Sequence, residues 1–426
     1  MPKGKKKGKY DHKRTEVYSS DEDAGIDMGD NYSETSGQSD MKSTHDDADN
    51  ELQEKLEDKV VEAIDALSAR SNAARAAALV SLRAVLQRRH LSHVLANHRA
   101  TLADHVTRML RRGKDGERRA AAAIAPTLAL QIGDDFAEEF IREVRPALTA
   151  VATDKTASLD CRTECCSSLA ILCYLLEDDL AEILEVLRVY ETIFSGSYLK
   201  GDGTVKVTGS AVEEGAYHAA ALDGWALLLP LLPAHHAAAL LNEQPPGFAR
   251  LGGLLEACSV EVRMAAGGAL AIAYELIEEC FDDPQQHIED MLPRLRELVK
   301  DSCKFRAKRD RKIQRATFRD ILKYFEDDEI PSLTIRVGTE QITLESWAGQ
   351  ALYSHLARTL GAALVTMAPH SGVLRSALGL SETPAIISAA DKVNKRTRHL
   401  QNNAACKART LARNKNRDKR SATLAL

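Results

Sequence analysis

The residues best suited to chemistry lie at the C-terminal end of the chain. Lys395, Arg396, Arg398, Lys407, Arg409, Arg413, Lys415, Arg417, Lys419 and Arg420 fall between Asn394 and Arg420, with Asp418 the one acid among them. Guanidinium forks match phosphate oxygens two at a time, and ammonium groups add point charges, so this density of cations suits a polyphosphate backbone. From His399 onward nothing breaks a helix, and Ala, Leu, Arg and Lys favour one. At about 100° per residue, Arg398, Arg409, Arg413, Arg417 and Arg420 share one sector, with Lys407, Lys415 and Lys419 flanking the rest. Leu400, Ala404, Ala408, Leu411 and Ala412 form the far side, too small to bury much apolar surface. Aromatic residues do not interleave with the arginines, so the helix is expected to grip backbone and not bases.

A second basic run holds Lys304, Arg306, Lys308, Arg309, Arg311, Lys312 and Arg315, broken only by Asp310. Other chemistries find less support. Cys161, Cys165, Cys166 and Cys173 recur at helical spacing in an apolar segment without a histidine beside them, which predicts buried thiols and no metal site. GDGTVKVTG (201–209) lacks the lysine that ends a phosphate-binding loop, and His235-His236 lack the HExxH arrangement. Asp223 before Gly224-Trp225, and Glu214 near His218, are the nearest approach to catalytic spacing. On helices whose other faces are core, such groups are expected to cap or face solvent. No enzyme and no cofactor is expected.

The elements that must position these residues are helical. The chain has 426 residues, 44% of them hydrophobic but only 5% aromatic. Abundant Ala and Leu with few aromatics predicts helices packed on small residues, in several domains or an elongated array. The net charge of −5 conceals segregated blocks of opposite sign. Residues 1–50 hold a basic head (Lys3 to Arg14) and then an acidic, serine-rich stretch, both too poor in apolar residues to offset their ordering entropy. No signal peptide or span-length apolar run is evident, which predicts no membrane partner.

From Leu52, a stripe of Leu52, Leu56, Val60, Ile64 and Leu67 starts a helical pattern that continues through 73–90, 93–112, 117–132, 135–152, 159–176 and 179–194. Helix pairs recurring at about 40 residues match the period of HEAT and armadillo units, which hide their apolar stripes by stacking. The segment 195–210 reads as a loop, 211–232 and 260–281 as buried helices, and 285–300 as the close of the array. Gly267 and Gly268 are expected to permit close backbone approach. After 301, Ile313, Phe318, Ile321, Leu322 and Phe325 should dock a helix and leave its basic part exposed. LTIRV and QITL around Gly338 predict a β-hairpin, followed by a helix from Glu345 to Met367 and two short helices over 370–391. The expected division is therefore 1–50, 51–300, 301–391 and 392–426, in an all-α HEAT/armadillo-like array with a small β-hairpin and a basic C-terminal helix.

Six stretches give the chain a family likeness: SDEDAG (20–25), HAAALDGWALLL (218–229), VRMAAGGALAIAYEL (262–276), DRKIQRATFRDIL (310–322), the hairpin leading into LESW (344–347), and RHLQNNAACKARTLARNKNRDKR (398–420). In these the chain resembles the interferon-related developmental regulator family. The resemblance implies a HEAT/armadillo-like domain followed by a conserved C-terminal segment, and two roles. One is binding to idle ribosomes, with a C-terminal helix in the mRNA/tRNA path. The other is nuclear co-regulation of transcription through corepressor and deacetylase complexes, which the concave face of the array would bind. Cys406 stands where the family tends to have an aromatic, and the chain ends in SATLAL where the family has a different finish. The expected partner is the ribosome, through rRNA and with tRNA a potential neighbour, met by a monomer in the cytoplasm, with the nucleus as a second compartment. Arg306, Lys308, Arg309, Arg311 and Lys312 would orient it, and the tail would plug the path.

Overall fold

The computed structural model describes residues 41–205, 212–242, 246–278, 284–300, 308–337 and 340–381. Contacts divide the chain between Leu52 and Gln53, and the architecture below is that of the unit beginning at Gln53. The first helix, α1 (Met41–Ala66), starts upstream of the apolar stripe that predicted it. Leu56, Val60, Ile64 and Leu67 of that stripe are buried.

Local chemistry sets where the helices begin. Ser71, Ser158, Asp179, Ser346 and Ser371 each accept a hydrogen bond from a backbone N–H in the first turn that follows. Such caps satisfy donors that the helix itself leaves free, and each contributes about 1 kcal/mol. Glu117 does the same job backwards, accepting from the Lys114 N–H at 2.9 Å.

The inner layer comprises α2 (Asn72–Leu86), α5 (Asp115–Ala129), α7 (Leu159–Leu176), α9 (Gly215–Leu228) and α12 (Val260–Glu278), each packed on the next. Of these, α9 and α12 are apolar nearly all round, as elements covered on two faces must be. In α5 the run Ala120–Ala123 is buried; in α9, Ala219, Ala220, Ala221 and Trp225 are. The outer helices are α3 (Ser92–Leu95), α4 (Arg99–Arg112), α6 (Asp134–Thr153), α8 (Leu180–Phe194), α10 (Ala234–Asn242) and α11 (Gly247–Gly253). Among them α4, α6 and α8 back α5, α7 and α9, while α10 and α11 back α12. The predicted helix over 93–112 is thus two helices, with a break at 96–98. His235 and His236 open α10 instead of forming a turn between helices.

Beyond α13 (Leu292–Lys300) the chain stays with the array. The next helix, α14 (Lys308–Asp327), packs on α12 and α13. There Gly267 lets α14 close in: a Cβ at that position would lie 2.9 Å from Ile321 Cδ1 and 3.2 Å from Phe318. Gly268 faces open space, so only the first of the paired glycines serves the approach. The strands β1 (Leu333–Val337) and β2 (Glu340–Leu344) pair antiparallel, with Ile335 opposite Ile342.

The helix expected over 345–367 is split. It runs as α15 (Trp347–Leu360), stops at Gly361, which has φ of 57°, and resumes as α16 (Ala363–Met367). Only glycine adopts that backbone freely, and it turns the chain. A short helix, α17 (Gly372–Ala377), follows.

The path of α15 is the main feature that the sequence did not predict. It lies against α5, α7, α9 and α12, so it runs over the inner layer of the array. Arg83 and Gln87 of α2 donate to the carbonyls of Thr359 and Leu360, at 2.8 and 3.0 Å. Thr366 returns a bond to the Gln87 carbonyl, and His90 stacks on His370 with centroids 4.3 Å apart. One contiguous core therefore extends from Leu56 to Leu380.

Candidate nucleic-acid interface

All ten tail cations, Lys395 to Arg420, and Lys304 and Arg306 of the second basic run lie outside the described residues. What the structure places is the helix α14, which carries the second run from Lys308, and the chain as far as Ser381. In α14 the anchoring face is Gln314, Phe318, Ile321, Tyr324 and Phe325, all buried. Tyr324 donates to Glu278 at 2.9 Å and packs within an aromatic cluster with Tyr274, Phe325 and Trp347. Ile313 does not belong to this face; it is 47% exposed. Residues 314, 318, 321 and 325 recur at helical spacing, and Ile313 is rotated by one residue from them.

On the opposite side, Lys312 and Arg319 are exposed and Arg315 is half-buried, a stripe at three- and four-residue steps. Lys308, Arg309 and Arg311 occupy the helix just before it. The structure thus brings the described part of this basic run onto one helix whose other face is locked into the core.

Ser381, where the described residues end, is held by Arg375, which the sequence reading passed over. Its guanidinium, 2% exposed, gives both Nη groups to the Glu340 carboxylate at 2.9 Å, and its Nε bonds the Ser381 carbonyl at 2.6 Å. Glu340 opens β2, so the hairpin, α17 and Ser381 are tied through one side chain. Nothing in LRSAL distinguishes this arginine from a surface one.

The near-catalytic spacings resolve into packing. His218 Nδ1 lies 2.8 Å from Ser197 Oγ, and Glu214 is 3.9 Å from Nε2. The serine and histidine are both buried, and a Cβ on Gly196 would fall 2.7 Å from the imidazole. Such a pair has no room for a substrate. Asp223, its side chain 31% exposed, forms an ion pair with Arg358 of α15 at 3.3 Å. Burial pushes its carboxyl above the ordinary value, opposed by that guanidinium. Arg358 also donates to His355 Nδ1 at 3.0 Å, and His355 bonds the Asp223 backbone. Burial, helped by the Arg358 charge, drives the His355 pKa down to about 3. A neutral imidazole and an ion pair therefore clasp α15 to α9.

The four clustered cysteines are buried thiols. Burial lifts Cys166 to about 12 and Cys173 further up. Among the described residues no group of three or more potential ligands could hold a metal ion, and no helix is long and apolar enough to cross a membrane.

The described residues form a stacked-helix array that carries a basic helix on its flank and a clasped hairpin near Ser381. A family model described as interferon-related developmental regulator matches residues 31–326, and one described as interferon-related protein conserved region matches 372–421. The chain is 35% identical over 413 residues to mouse interferon-related developmental regulator 1, covering 94% of this chain and 90% of that one. It is 37% identical over 376 residues to mouse interferon-related developmental regulator 2, covering 87% and 84%. The human regulator 1 is 34% identical over 421 residues, covering 96% and 91%. The chain belongs to the interferon-related developmental regulator family.

Proposed function

We propose that this protein is a ribosome-binding repressor of translation whose basic C-terminal segment occupies the path that mRNA or tRNA needs. The observation that carries this reading is the sorting of arginines onto one helical face between 398 and 420, inside the segment that matches the conserved region of the family. A helix from His399 to Arg420 would reach about 30 Å, enough to thread an RNA-walled channel. The stripe of Lys312, Arg315 and Arg319 on α14 would supply an orienting contact. Inhibition by occlusion needs no catalysis.

A peptide-binding scaffold that uses the inner face of the array finds less support, since α15 already lies there. The test is sedimentation through sucrose gradients. Wild type should co-sediment with ribosomes, and a variant with Arg409, Arg413, Arg417 and Arg420 changed to Glu should not. Removing four phosphate contacts should also lower the slope of log affinity against log salt by about 3. Co-sedimentation that survives the four reversals with its salt dependence intact sinks the proposal.

A further inference from the structure

The charge blocks of the array itself point to a second site. Between Arg70 and Arg119 the chain holds twelve Lys/Arg and three Asp/Glu. One of those acids, Glu117, is buried against Arg75, and another, Asp104, lies 3.6 Å from Arg108. Three of these cations, Arg75, Arg108 and Arg112, line a cleft of about 510 Å³ with Glu117, bounded by the turn after α1, the last turns of α4 and the start of α5. Arg75 forms part of its wall and is held rigidly, donating to Asn72, to Glu117 and to the carbonyls of Ala69 and Arg70. Arg108 and Arg112, one helical turn apart on α4, also line it, and both are exposed. Arg112 has no ionic partner among the described residues. His105 completes the lining as a neutral acceptor: burial and the Arg108 charge hold its pKa down, so it takes a bond from Arg108.

Arg111 and Arg112 also suit the negative end of the α4 dipole, a purely structural use. That use explains neither Arg108 nor the anchoring of Arg75 in the same wall. We propose that this cleft is a second phosphodiester-binding surface, in which Arg108 and Arg112 grip the backbone of a folded RNA. The occupant follows from charge complementarity. Arg70, Arg111 and Lys114 are exposed beyond the cleft, whereas Arg119 is paired with Asp160, and cations at this many positions match a polymer of phosphates better than a single phosphorylated side chain. That the polymer is RNA rests on the ribosomal reading above; the cleft itself reads only phosphate and sugar.

The test uses the full chain and a 20-base-pair RNA duplex, with binding followed by fluorescence anisotropy from 50 to 300 mM KCl. R108E/R112E should weaken binding about tenfold and reduce the salt slope by roughly 1.5, the share of two phosphates. R111E, whose side chain does not line the cleft, should lose less than about twofold. R108Q/R112Q, with thermal melting matched to wild type, removes misfolding as an explanation. Unchanged affinity and slope in both double variants overturn the proposal. So does an equal loss in R111E, which would mean diffuse charge without a site, or tighter binding of a phosphoserine peptide than of the duplex. The tail variant R409E/R413E/R417E/R420E separates the two readings. Duplex binding that survives there and falls on adding R108E/R112E supports the cleft even if the tail proves idle. Loss of all duplex binding in the tail variant alone overturns the cleft.

Discussion

Acidifying the protein from pH 7.5 to pH 5 probes how α15 is held over the inner layer, because His355 is neutral there only by virtue of its surroundings. The ring is 5% exposed, it accepts from Arg358 through Nδ1, and its pKa falls from 6.5 to about 3. The unfolded chain takes up a proton near 6.5 and the folded chain does not until far lower. Over that window the unfolded state binds more protons, so stability is lost as pH falls. At pH 5 the loss from this one residue is roughly 2 kcal/mol, nearly all of it from protonation of the unfolded chain. His90 and His105, whose pKa values are also lowered by burial, contribute to any acid loss and are the same in a His355→Gln chain. Asp223, which burial pushes the other way, is also retained. Thermal unfolding at both pH values, followed by tryptophan emission, therefore isolates the His355 share as the difference between the two chains. Wild type should lose about 2 kcal/mol more than His355→Gln on acidification. Equal losses, or an imidazole NMR titration of His355 near 6 in the folded protein, would refute the reasoning.

Two glycines should respond in opposite directions to the same change. A Cβ on Gly224 would lie 3.0 Å from the buried Tyr190 ring and 3.1 Å from Ala170, so Gly224→Ala should destabilise by about 1–3 kcal/mol in urea unfolding. Gly268→Ala meets nothing and should stabilise α12 by about 0.5–1 kcal/mol. Native alkylation at pH 8, read by mass spectrometry, should spare Cys161, Cys165, Cys166 and Cys173, with modification appearing only in denaturant. Labelling of Cys166 in the folded chain would contradict its burial.

The sequence made the body legible where one physical rule dominated. Segment 159–176 coincides with α7, because Ser158 caps its start and its apolar run has one role. The hairpin followed from alternation about a turn. In α14 the reading went by residue type and counted Ile313 as core, whereas the phase set by Phe318, Ile321 and Phe325 buries Gln314 instead. The break at Gly361 was lost among apolar neighbours that continue on both sides of it. Least legible were contacts between residues far apart in the chain. Arg83 with Thr359, Asp223 with Arg358 and Arg375 with Glu340 join ordinary-looking residues whose partners no local pattern names. The candidate site divides the same way. The cations proposed to bind phosphate are legible in the composition of the tail, while the clasp on Ser381 depends on a buried arginine indistinguishable from its exposed kin.

An open solenoid touches itself only between successive units, so it can fray from either end and stretch like a spring. Here α2 and α12, near opposite limits of the stack, are both strapped to α15. The strap closes a loop through the whole unit. Melting should then occur in a single step and not repeat by repeat, and a pull on the carboxyl end should be resisted by the entire body.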